Sequence, residues 1–102
     1  MPVILRRGPK NEPITNVPHR VTRDATKNID QAAYEFGLVG VAANELSMNI
    51  LFNTNLLTVG EALKLSIYFA EEIICSIPYD GASIDDQIVT DWIAMKRQNN
   101  LI

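Results

Sequence analysis

Residues 36–77 read FGLVGVAANELSMNILFNTNLLTVGEALKLSIYFAEEIICSI, and they hold 25 apolar residues out of 42 against five charges, Glu45, Glu61, Lys64, Glu71 and Glu72. Apolar residues that recur every three or four positions build one face of a helix. Val39, Ala42, Ala43, Leu46 and Ile50 make such a stripe. Upstream, Ala25, Ile29, Ala32, Ala33 and Phe36 make another in the same phase, with Thr22 as N-cap and Asp24 in the first turn. The pattern predicts one long helix over about 23–52, kinked at Gly37-Leu38-Val39-Gly40, where each glycine costs about 1 kcal/mol relative to alanine. Two shorter helices broken at those glycines are the alternative.

Asn53-Thr54-Asn55 signals a turn. Thr58 with Glu61 three residues later is a capping box, so a second helix is expected over about 59–76, with Val59, Ala62, Leu63, Ser66, Ile67, Ala70, Ile73, Ile74 and Ile77 inward. Pro78 and Asp80-Gly81 stop it. A third helix over about 84–98 starts at Ser83 and buries Ile84, Ile88, Val89, Trp92, Ile93 and Met95, with Lys96 and Arg97 in its last turn. Ahead of all this, Pro2, Pro9, Pro13 and Pro18 disfavour helix over 1–21. Val3 to Arg6 can form a short edge strand and the rest reads as extended. The expected fold is therefore all-α: a long helical hairpin plus a third short helix, with an extended proline-rich N-terminal arm. The arm occupies 1–21 and the helical domain 22–102.

A helix with one face on a core needs one apolar stripe, and this hairpin carries more. Outside the stripes stand Leu38, Val41, Met48, Leu51 and Phe52 in the first helix and Leu65, Tyr68 and Phe69 in the second. A 30-residue helix is about 45 Å long, whereas a compact chain of this length has a radius of gyration near ~13 Å. One short third helix cannot cover such a hairpin. These eight residues are accordingly the expected interface of a homo-oligomer, a dimer or higher.

Charge is divided unevenly. Residues 1–27 carry six cations against two acids, a net +4, and residues 28–102 carry three against ten, a net −7. Arg6, Arg7, His19, Arg20, Arg23 and Lys27 are the candidate contacts for an anionic ligand, a phosphate backbone or the acidic surface of a protein. The arm lacks interleaved aromatics for base stacking and no recognition helix is evident, which favours protein over nucleic acid.

Catalytic chemistry finds little to work with. His19 and Cys75 are the single histidine and cysteine, so neither a nucleophile–base set nor a zinc site assembles. Glu71-Glu72 and Asp85-Asp86 are adjacent carboxylates, which point about 100° apart on a helix and do not converge. Gly37 to Gly40 lacks the Lys-Ser/Thr of a phosphate loop. Trp92 belongs to the core, and Tyr79 in its Pro-Tyr-Asp-Gly turn is exposed. No enzyme activity, metal or cofactor is expected. No targeting segment and no membrane span are evident, since the longest uncharged stretch is interrupted by asparagines. The lone cysteine fits the cytoplasm. The expected role is that of a small, non-catalytic, oligomeric interaction protein, an accessory or inhibitory protein of a bacterium or phage. It modulates a macromolecular partner or sequesters an anionic ligand. Nucleic-acid binding through the arm and service as a structural subunit of a larger assembly are the alternatives.

Overall fold

A computed structural model describes residues 2–24 and 33–101. Strand β1 (Val3–Arg7) is followed by β2 (Pro13–Thr15), helix α1 (Val41–Phe52), helix α2 (Val59–Glu72), a 3-10 turn (Ile74–Ser76), strand β3 (Gly81–Ile84) and helix α3 (Asp86–Gln98). The fold is mixed, three helices with a three-stranded antiparallel sheet of order β2-β1-β3, and this corrects the all-α expectation. The stretch Val3 to Arg6, expected as a possible edge strand, belongs instead to the central strand, β1. Leu5 faces Thr15 on one side and Ala82 on the other, and it is buried while Ile4 and Arg6 point outward. Two strands differ from the expectation: β2, inside what reads as an extended arm, and β3. The four residues of β3 lie between the Asp80-Gly81 turn and the start of α3, too short to show a period of their own.

The long first helix is also corrected. Residues 33–40 are not helical, and α1 begins at Val41. Gly37 has φ 75° and Gly40 φ 153°, backbone conformations that glycine adopts at no steric cost and that end a helix. Residues 25–32, the middle of the expected first half, lie outside the described residues. A 12-residue α1 is about 18 Å long, and the radius of gyration is 12.7 Å, the value of a compact chain this size. Helix α1 is buried nearly all round: Ala43 and every residue from Glu45 to Leu51 are inside. It packs against α2 on one side, and the N-terminal segment covers another.

Helix α2 starts at the expected capping box. Thr58 Oγ1 accepts from Glu61 N (3.1 Å), and Glu61 Oε1 accepts from Thr58 N (2.9 Å). That backbone bond holds the Glu61 carboxyl below its ordinary value. Its inward face is Ala62, Leu65, Ser66, Phe69 and Ala70, so Val59, Leu63 and Ile67 of the expected stripe are exposed instead. Both stripes are apolar, and the bulkier Leu65 and Phe69 fill the core. Helix α3 is clipped on by Trp92, which meets Phe69 edge-on (centroids 5.0 Å), and by Lys96 and Trp92 Nε1, which both bond Glu72.

One cation staples the sheet to the loop before α1. The Arg7 guanidinium lies between the rings of Phe36 (4.2 Å) and Tyr79 (4.1 Å). It donates to the carbonyls of Tyr79, Asn11 and Phe36 and pairs with Glu35 at 2.7 Å. A planar five-donor fork suits that geometry and an ammonium does not. Replacing Arg7 by Ala leaves the part-buried Phe36 carbonyl and the Glu35 carboxylate without their guanidinium partner and takes the cation from between two rings, at about 2–4 kcal/mol of stability. Arg7→Lys is expected to lose nearly as much in urea unfolding. A lysine variant within about 0.5 kcal/mol of the parent, the scatter of ordinary surface changes, would contradict this role.

Candidate functional site

Beyond the β1–β2 ladder, residues 16–23 have no strand partner, so their backbone polar groups must find partners elsewhere. Here α1 supplies them. Glu45, Asn49 and Asn53 recur every fourth residue, a polar line on one face of an otherwise apolar helix. Asn49 Oδ1 accepts from Arg20 N (2.7 Å) and Val21 N (3.1 Å), and its Nδ2 donates to Val21 O (2.9 Å) and Glu45 O (3.0 Å). Asn53 Nδ2 donates to Pro18 O (2.8 Å), and its Oδ1 accepts from Arg20 Nη1 (3.2 Å).

Glu45 is 2% exposed. Its Oε2 lies 2.5 Å from His19 Nε2, and its Oε1 accepts from Arg23 N (2.9 Å) and Thr22 Oγ1 (3.4 Å). A buried carboxylate is tolerable only when so provided with donors. The His19 ring stacks on Tyr34 at 4.5 Å, and Tyr34 Oη donates to Pro18 O. Burial, with the Glu45 charge adding to it, pushes the Tyr34 phenol up.

The six candidate contact residues singled out in the sequence thus part company. Arg7, His19 and Arg20 spend their donors on the protein itself, and Arg20 also lies over the Phe52 ring at 4.7 Å. Arg6 is exposed on the outer sheet face. Arg23 Nε is buried without a hydrogen-bond partner. Lys27 lies outside the described residues.

The eight expected interface residues divide as well. Met48, Leu51, Leu65 and Phe69 are buried in the protomer's own core, and Phe52 is partly buried against it. The arm and the sheet cover what the sequence left uncovered. Leu38, Val41 and Tyr68 are exposed. Leu38, Val39 and Val41 form an apolar tip ahead of α1, with Val39 81% and Val41 72% exposed. The tip is anchored from below, since Gly37 N donates to Ile74 O (2.9 Å) and Cys75 Sγ donates to Leu38 O (3.1 Å). Burial, then the charge of Glu71, pushes the Cys75 thiol up, the reverse of what activates a nucleophile.

An open cleft of about 640 Å³ lies where β1 begins and α1 ends. Val3, Val17, Ile50, Leu56 and Val89 line it, together with Asn16, Asn53 and Thr54. Those polar side chains bond backbone groups of the protein and leave few donors aimed at a guest. Among the described residues no group of three His, Cys, Asp or Glu side chains is placed to hold a metal ion. No helix is long and apolar enough to cross a membrane among these residues.

The line of Glu45, Asn49 and Asn53 escaped the sequence reading. There the asparagines interrupt an apolar stretch, and Asn53 marks a turn with Thr54 and Asn55. Their four-residue spacing, set against an arm with unpaired backbone groups, was the available signal. Asn49→Ala strips acceptors from two arm N–H groups and a donor from Val21 O. It is expected to cost about 2–4 kcal/mol and to raise the released-arm population roughly thirtyfold or more. Trypsin cleavage after Arg20 and Arg23 reads this directly, and an unchanged cleavage rate would refute it.

No protein-family model, no curated protein and no solved structure matches the chain. Its function is read from the geometry of its own surfaces.

Proposed function

We propose that this chain is a small, non-catalytic interaction protein that works as a homo-oligomer and presents its apolar tip to a macromolecular partner. The observation that carries the proposal is apolar surface held in place. Leu38 and Val39 are exposed on a loop anchored to the 3-10 turn, Val41 is exposed at the first position of α1, and Leu63, Ile67 and Tyr68 are exposed on helix α2. Apolar residues grouped on fixed elements mark contact surfaces more often than scattered ones do. The saturated Glu45–His19 pair and the raised Cys75 thiol favour a binding role over a catalytic one. A single unpaired cysteine fits a reducing compartment, and we place the protein in the cytoplasm on that ground.

The basic arm supports the protein-directed reading over the nucleic-acid one. Two of its cations, Arg20 and Arg7, are engaged on α1 and on the loop before it, which leaves fewer to neutralise phosphates. Light scattering on the full chain is expected to give a multiple of the 11.4 kDa protomer mass. A lone protomer at the highest attainable concentration would overturn the oligomer. Duplex binding with a steep salt dependence, lost when Arg6, Arg20 and Arg23 become Ala, would establish the nucleic-acid alternative in its place.

A further inference from the structure

We infer that a second copy of this chain covers the outer face of α2, in an antiparallel α2–α2 contact whose two-fold axis passes between Ile67 and Tyr68. The inference rests on the homo-oligomer reading and gives it a surface and a register. The inward face of α2 is filled by Ala62, Leu65, Ser66, Phe69 and Ala70. The opposite face carries Lys64, Ile67, Tyr68 and Glu71, with Ile67 and Tyr68 each 42% exposed. Neither Lys64 nor Glu71 has an ion pair or hydrogen bond among the described residues. Two helical turns separate them, about 10.5 Å along the axis. They lie on one line but out of each other's reach.

The order along that line is cation, apolar, apolar, acid. Lys64 stands three residues before Ile67, and Glu71 three after Tyr68. A two-fold axis between Ile67 and Tyr68 sets Lys64 of each copy opposite Glu71 of the other, and Ile67 opposite Tyr68, each contact made twice. A parallel pairing of the same face sets lysine on lysine and glutamate on glutamate. Isologous contacts require one patch complementary to itself end for end, and this patch meets that requirement. Its two charges cancel, so it is matched to itself rather than to an acidic or basic partner.

Sedimentation equilibrium on the full chain at low salt tests the register. Lys64→Glu and Glu71→Lys each put two like-charge contacts into the dimer, and each is expected to weaken self-association about tenfold or more. The double variant restores both pairs in reversed order and is expected to return within about threefold of the parent. Both positions are exposed, and circular dichroism confirms that the variants fold. If the parent self-associates but the single variants do so equally well, or the double variant stays as weak as they are, the α2 register is wrong while the oligomer stands. If the parent is monomeric, both fall together.

Discussion

Asn49 settles the fate of the N-terminal arm. Past the β1–β2 ladder, the extended residues 16–23 offer backbone donors and acceptors that no strand satisfies, and each one buried unmet costs about 1–3 kcal/mol. One buried side chain answers three of them, the N–H groups of Arg20 and Val21 and the carbonyl of Val21. Glu45 and Asn53, one turn either way, answer Arg23 and Pro18. The arm therefore lies along α1 and screens it. A helix buried almost all round becomes possible in a chain of only 102 residues, which could not otherwise surround one.

The two ends of the N-terminal segment divide the work. Its beginning supplies the central strand and Arg7, whose guanidinium ties the sheet to Phe36 and Tyr79 and so fixes the loop that enters α1. Its end fills the polar line on α1. Between them these contacts engage two of the arm's cations, Arg7 and Arg20. Among the surfaces they leave open, two are apolar: the tip at the start of α1 and the Ile67–Tyr68 centre of the outer face of α2. The proposed role follows from that remainder. Cations that hold a fold together have little left for phosphates, whereas apolar groups on anchored backbone lose little freedom when a partner covers them.

Much of the helical part was legible. The Thr58–Glu61 box placed the start of α2, because a cap is a local signal, and α3 begins within two residues of its expected start, although Ser83 lies in β3 and the N-cap is Asp85. The rest depended on contacts between distant segments. Strand β3 is four residues long and acquires its conformation by pairing with β1. The stripes of α2 were ambiguous because both were apolar, and the choice fell to the size of Leu65 and Phe69 against the space beside α1. The apolar surplus that pointed to a partner was measured against a helix of about 30 residues. Glycines at positive φ shortened that helix, and the arm hid much of what remained. Of the candidate site, the residue names were readable and their roles were not. His19 and Arg20 looked free only because Glu45 and Asn53 lie 26 and 33 residues further on.

Everything in the structure presupposes that the arm is an integral layer and not an appendage. Native-state hydrogen exchange at the amides of Arg20, Val21 and Arg23 tests this most directly, since these are the donors bound by Asn49 and Glu45. The account predicts protection within about tenfold of that at the core amides of α1, lost only with global unfolding. Exchange at the rate of a free peptide, with α1 still protected, would contradict it.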